Sequence, residues 1–118
     1  MDGPQVQLLG RLMQSSQLRA KVLANNLANA NTPGFVRQTV SFEETLQDAI
    51  TRGSQRDFDR AQPEIVDDLL SPPKPDGNNV TLELEMNSMR ENRILYETYA
   101  AMLAGHFELM RAAVQDGN

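Results

Sequence analysis

The chain has 118 residues, 40% of them hydrophobic but only 5% aromatic, and it contains neither Trp nor Cys. That length holds one domain-sized unit rather than two independent cores, and aliphatic seams must carry the packing where large aromatic side chains are scarce. A net charge of −5 argues against a nucleic-acid partner, because neutralising phosphates takes a basic face. The lack of Cys excludes disulfides, thiolate metal sites and a Cys nucleophile.

Residues 1–40 carry four basic groups and one acid, whereas residues 41–118 carry seven basic and fifteen acidic groups. This asymmetry suits subunits oriented head to tail, and it equally suits solvated faces that merely differ. The opening Met1-Asp2-Gly3-Pro4 has no basic region, and Gln, Gly and Arg interrupt the apolar residues after it, so no cleaved secretory signal is expected. No run approaches the roughly 18 apolar residues that span a bilayer, so direct membrane insertion is not expected.

In chain order, the first element is a helix over 5–31. Val6, Leu9, Met13, Ser16, Ala20, Leu23, Leu27 and Ala30 recur at alternating intervals of three and four, which is a heptad seam. Thr32 precedes Pro33 and is thereby pushed out of helical geometry, so the helix should end near Asn31 and Pro33-Gly34 should turn the chain. Residues 32–50 then form a turn and a short helix. Ser41-Phe42-Glu43-Glu44 fits a capping box, with Phe42, Leu46 and Ile50 on one side.

Residues 51–80 hold Pro63, Pro72, Pro73, Pro75, Gly53 and Gly77 and read as an extended connector that either drapes over the helices or contacts another molecule. A second long helix is expected over 81–115, with Thr81 as its N-cap and Glu83 and Glu85 favouring its dipole in the first turn. Its seam is Leu82, Met86, Met89, Arg93, Tyr96, Ala100, Leu103, Phe107, Met110 and Val114. The expected fold is all-α: two long terminal helices pairing through their seams as a coiled-coil-like hairpin, one short middle helix, a Pro-rich connector and no large inserted β domain.

Site chemistry is sparse. His106 is the single histidine, and Gly105 and Phe107 beside it offer neither a second ligand nor a nucleophile, so it reads as structural. Asp67-Asp68 and Glu43-Glu44 read as solvated acidic faces, since a calcium loop needs several oxygen ligands around a permissive Gly. No phosphate-binding Gly-rich loop, G-x-S-x-G or H-E-x-x-H occurs, so no cofactor, metal or enzymatic activity is expected. Asn25, Asn26, Asn29 and Asn31 stand apart. Four amides at one helix end either tie off its carbonyls and fix the next turn or bridge neighbouring chains.

The run Leu23-Ala24-Asn25-Asn26-Leu27-Ala28-Asn29-Ala30-Asn31-Thr32-Pro33-Gly34-Phe35 resembles the N-terminal signature of the bacterial flagellar axial proteins, the rod, hook and hook-associated family. Val40-Ser41-Phe42 and Asn78-Asn79-Val80-Thr81-Leu82-Glu83-Leu84-Glu85-Met86, followed by Asn92, Tyr96 and Leu103, are similar to its rod-type members. Thr81 departs from the Asp usual in that motif, and either residue caps a helix.

The resemblance implies a structural subunit of the basal-body rod, where it crosses the periplasm. It implies export unfolded through the flagellar type III apparatus without a cleaved signal, and helical assembly through the terminal helices. The implied partners are copies of itself, other rod proteins, ring or export-gate adaptor proteins at the rod base, and the export apparatus. Together with the seams, the resemblance points to Leu23, Asn25, Asn26, Leu27, Asn29, Asn31, Pro33, Gly34, Phe35, Met86, Met89, Tyr96, Leu103, Phe107 and Met110 as assembly residues. The competing readings are another short rod protein or rod adaptor, and a soluble helical-hairpin scaffold or export chaperone.

Overall fold

The computed structural model describes residues 3–116. Its order is α1 (Pro4–Ala28), β1 (Gln38–Ser41), α2 (Glu43–Thr51), α3 (Gln55–Arg60), β2 (Glu64–Asp67) and α4 (Leu82–Asp116). The molecule is elongated, 68 × 28 × 17 Å, because α4 alone is 35 residues long, about 52 Å at 1.5 Å per residue.

Pro4 opens α1 with its fixed φ and no N–H to leave unpaired. The helix ends at Ala28, three residues before the expected Asn31. The Asn29 N–H donates to the carbonyls of Asn25 and Asn26, and Ala30 N–H donates to Leu27, so the last turn tightens toward i→i+3 bonding. Thr32 N–H then closes a turn on the Asn29 carbonyl at 3.0 Å. Helix α4 begins at Leu82, and the Thr81 carbonyl accepts the first intrahelical bond from Glu85 N–H.

The middle of the chain departs from the all-α expectation. β1 and β2 pair antiparallel, with Gln38 opposite Asp67 and Ser41 opposite Glu64. Ser41 is therefore the last residue of a strand and forms no capping box. Phe42 is the N-cap of α2 without a side-chain cap bond, and Leu46 N–H donates to its carbonyl at 3.0 Å. The buried side of this lobe is Phe42, Leu46 and Ala49, while Ile50 is half exposed, because α2 turns its 46/49 edge inward.

The expected connector over 51–80 is not simply extended. Ser54 Oγ accepts from Asp57 N–H at 3.1 Å and caps α3. Residues 64–67 find a partner strand, and the loop after them is tied to the end of α1.

Helix α1 lies between two layers. On one side Leu8 and Leu12 pack against the cluster of Phe42, Leu46 and Ala61, joined by Phe58. Arg11 sits over the rings of Phe42 and Phe58 at 5.6 and 5.1 Å and donates to the carbonyls of Phe58 and Ala61. Arg19 reaches the Val40 carbonyl and the Glu43 carboxylate. On the other side α1 runs antiparallel to α4: Asn26 meets Glu85 near one end, and Asn92 Nδ2 donates to the Ser16 carbonyl at 2.8 Å further along.

The helix faces are rotated from the predicted seams. In α1, Leu9, Ser16 and Leu23 are buried, but Ala20 is exposed and Ser15, Val22 and Asn26 join the buried set. In α4, only Glu85 and Asn92 are fully buried; Met89, Tyr96, Ala100 and Leu103 are intermediate, and Leu82, Met86, Arg93, Phe107, Met110 and Val114 are exposed. Polar anchors set this rotation. Asn92 can reach a main-chain carbonyl of α1 only where a residue as small as Ser16 lets the helices approach.

Candidate assembly surface

The asparagine cluster divides by position. Asn26 is fully buried and grips the backbone of Gln38 on both sides, donating from Nδ2 to its carbonyl at 2.7 Å and accepting its N–H at 2.9 Å. This pins the start of β1 to the end of α1. Asn29 acts locally: its Nδ2 donates to the Asn25 carbonyl at 2.8 Å, and its Oδ1 accepts from Thr32 Oγ1 at 3.1 Å. Asn25 and Asn31 are exposed.

Two further asparagines complete this corner. Asn78 Nδ2 donates to the carbonyls of Asn29 and Thr32, both at 2.8 Å, so the segment before α4 ties off the orphan carbonyls at the end of α1. Pro33 and Gly34 lie on the exposed side of the same turn. Gly34 N–H donates to the Asp76 carbonyl at 2.9 Å. Both Gly34 and Gly77 have positive φ, and a Cβ on Gly77 would come within 3.3 Å of the Gly34 Cα, so the crossing of these two turns requires glycine. The Phe35 carbonyl accepts from Asn79 N–H, while Asn79 Oδ1 accepts from Arg37 N–H at 2.6 Å and its Nδ2 donates to the Asp68 carbonyl at 2.8 Å.

Next to this corner is a buried ionic clasp. Arg37 Nε donates to Glu85 Oε1 at 2.5 Å and Nη1 donates to Asp68 Oδ2 at 2.7 Å. Glu85 is completely buried, and the side chains of Arg37 and Asp68 are 14% and 11% exposed. Asp68 also accepts from Leu70 N–H, Ser71 N–H and, at 2.6 Å, Ser71 Oγ. The Ser71 hydroxyl first and the Arg37 guanidinium second hold its pKa well below the usual carboxylate range. The hydrogen bond from Arg37 to Glu85 is the largest cause raising the guanidinium pKa. Asp68 is thus no solvated acid, and Glu85 is a buried anchor rather than only a first-turn dipole partner.

The sequence reading passed over Arg37, took Asp68 for a solvated acid and gave Glu85 only a role at the helix dipole. A signal was present in the polar residues at 85 and 92, seven apart on a helix whose neighbouring stripes are apolar, since such residues are expensive to bury without partners.

Leu27, Met86, Met89 and Tyr96 are brought together with Ala20 and Asn92 around an open groove of about 570 Å³ between α1 and α4. Leu23 is buried in the hairpin, and Leu103 borders a second groove beside Val6 and Gly10. Phe107 and Met110 are not brought to either groove. With Val114 they form a row on the last ten described residues of α4, all of them exposed. His106 lies edge-on to Phe107, ring centroids 6.1 Å apart. No helix among the described residues is long and apolar enough to cross a membrane.

The profile described as flagella basal body rod protein matches residues 10–35, which run from the first half of α1 through the asparagine corner. The flagellar basal body rod protein FlgB of Borrelia hermsii is 30% identical over 128 residues, covering 93% of this chain and 95% of its own. The chain belongs to the flagellar basal body rod protein FlgB family. The FlgB proteins of Escherichia coli and Bacillus subtilis are 28% and 25% identical, over 85% and 95% of this chain. The molecule is a structural subunit of the rod of the flagellar basal body and works among other rod components. The clasp and the asparagine corner therefore belong to a building block, in which they fix the angle between α1 and α4.

Proposed function

We propose that this rod subunit assembles helically through its terminal helices after passing unfolded, without a cleaved signal, through the flagellar type III export apparatus. Its neighbours are copies of itself and other rod proteins, with ring or export-gate adaptor proteins at the rod base, and the rod it joins crosses the periplasm. It acts as a structural element and not as an enzyme. The observation that carries this reading is the pair Phe107 and Met110, each 50% exposed on a helix end where every described residue from 107 to 116 is exposed. Heterologous contacts that do not close generate a helical filament, and a helix presenting one apolar edge is suited to such contacts.

The surface residues of this reading are Leu27, Met86, Met89, Tyr96, Phe107 and Met110. Asn25, Asn31, Pro33, Gly34 and Phe35 lie at the exposed corner, while Leu23, Asn26, Asn29 and Leu103 support the surface from within. Export as an unfolded chain is supported by the small core, centred on Phe42, Leu46 and Ala61, because little apolar burial opposes unfolding. The test is a strain in which the double variant Phe107→Asp, Met110→Asp replaces the native chain. The expected result is secretion of the variant without its recovery in purified basal bodies, and loss of swimming. Normal incorporation and swimming would overturn the reading.

A further inference from the structure

The two-stranded sheet is closed along one edge and open along the other. Asp68 N–H donates to the Arg37 carbonyl at 2.9 Å, one step beyond the Gln38–Asp67 pair. Opposed residues in an antiparallel ladder alternate between bonded and non-bonded pairs, so Gln38, Val40, Ile65 and Asp67 turn their N–H and C=O groups away from the partner strand. On β1, helix α1 takes up such groups: Asn26 bonds both those of Gln38, and Arg19 donates to the Val40 carbonyl at 3.2 Å. On β2 the outward groups are those of Ile65 and Asp67, and all four residues of the strand are exposed. We infer that this edge receives an extended segment of a different protein as a third strand, in which two apolar residues stand between two basic ones.

The side chains of β2 specify that chemistry. Ile65 and Val66, 49% and 39% exposed, stand between Glu64 and Asp67. Among the described residues, neither of these two carboxylates has an ion-pair partner, unlike Asp68 next to them. A second copy does not fit this edge. Two β2 strands paired antiparallel about their centres set Glu64 opposite Asp67 at both ends, and like charges directly opposite are destabilising. Basic residues at those two positions of the incoming strand turn the same charges into attraction. The pattern of two apolar residues between two basic ones occurs nowhere in this chain, so the donor is another protein. Leu69 and Leu70, 82% and 95% exposed, follow the strand in a loop that is held in place. Asp68 Oδ1 accepts from the N–H groups of Leu70 and Ser71, and Asn79 Nδ2 donates to the Asp68 carbonyl. A strand running past Asp67 therefore meets an apolar anchor. The main-chain groups of Ile65 and Asp67 supply affinity, and the flanking charges and leucines supply selectivity. That the donor is another basal-body component rests on the assembly reading above; the open edge does not.

Two synthetic peptides serve as probes: acetyl-Thr-Lys-Val-Val-Lys-Thr-amide, and its counterpart with Glu in place of both Lys. Each is added at millimolar concentration to the isotope-labelled full-length chain, and amide exchange is followed by NMR. The Lys peptide should slow exchange at Ile65 and Asp67, and the Glu peptide should bind about tenfold more weakly or worse, since two surface ion pairs are at stake. Ile65→Pro removes an outward N–H without breaking a β1–β2 bond, so it should abolish binding of the Lys peptide, whereas Ile65→Ala should retain it. If Ile65→Pro disturbs the sheet, the double variant Glu64→Lys, Asp67→Lys carries the test, because it should prefer the Glu peptide. No effect of the Lys peptide on either amide, equal binding of both peptides, or an unchanged preference in the charge-reversed chain would overturn the inference. In rods, Ile65→Pro should lower incorporation of the chain into isolated basal bodies relative to Ile65→Ala. Equal incorporation of the two would overturn the inference while leaving the assembly reading intact, which fails instead if the Phe107→Asp, Met110→Asp chain incorporates normally. The native chain has no Cys, so a disulfide-linked dimer of Val66→Cys chains in oxidised basal bodies would place a second copy on the edge and overturn it as well.

Discussion

Asn26 and Asn31 are five residues apart in the same signature, yet they sit in opposite environments. Asn26 is buried and holds both backbone groups of half-buried Gln38, so Asn26→Ala leaves that N–H and C=O without their partner and should cost about 1–3 kcal/mol. Asn31 is exposed, and Asn31→Ala should change stability by less than about 0.5 kcal/mol. Urea unfolding of the two variants checks this order, and equal midpoints would contradict it. Arg37→Met should be more damaging, because it leaves Glu85 buried without its cation, a loss of about 3–5 kcal/mol. Asp68 adds a pH dependence. Its folded pKa is depressed, so its stabilisation is complete above the unfolded carboxylate value of about 4 and is lost as pH falls below that value toward the folded one. The stability gap between the native chain and Asp68→Asn should accordingly be widest at neutral pH and narrow at about pH 3; a gap independent of pH would contradict the clasp.

At the scale of elements, α4 behaves as two segments. From Glu85 to Leu103 it is supported by α1 or the clasp, while residues 107–116 are exposed, and an isolated helical segment of that length is marginal in water. Amide exchange of the isolated chain should thus be slow around Asn92 and fast from Phe107 onward; uniform protection along α4 would contradict this division. Leu103 is half-buried and borders the same groove as Val6, so Leu103→Ala should lower stability by about 1 kcal/mol, whereas Met110→Ala should leave the isolated chain within about 0.5 kcal/mol of native. The two long helices were legible because period-3.5 patterns and the Thr32-Pro33 stop are local signals. The rotation of α4 was not, because it depends on Asn92 finding Ser16 and on Glu85 finding Arg37, pairings 76 and 48 residues apart. β1 and β2 were missed for a related reason: Gln-Thr-Val-Ser and Glu-Ile-Val-Asp are four residues each and become strands only through each other. The signature Leu23–Phe35 was legible as a family mark, but its burial pattern was not. Asn78 and Asn79 approach it from the far end of the chain.

At the scale of the whole molecule, a stiff corner and an uncovered helix end serve different tasks. The asparagine corner, the paired glycine turns and the Arg37 clasp fix how α1, the β1–β2 lobe and α4 diverge, so each copy presents its surfaces at a constant angle. In the proposed assembly, the end of α4 carries the apolar row that a neighbour covers. Even about 2 kcal/mol for each buried large side chain becomes decisive when every copy in a rod repeats the contact. The most direct measurement is electron cryomicroscopy of the purified rod at side-chain detail. The account predicts Phe107, Met110 and Val114 packed against a neighbouring subunit while the Arg37–Glu85 clasp stays closed. A rod in which that row faces solvent, with the subunits joined through other surfaces, would contradict it.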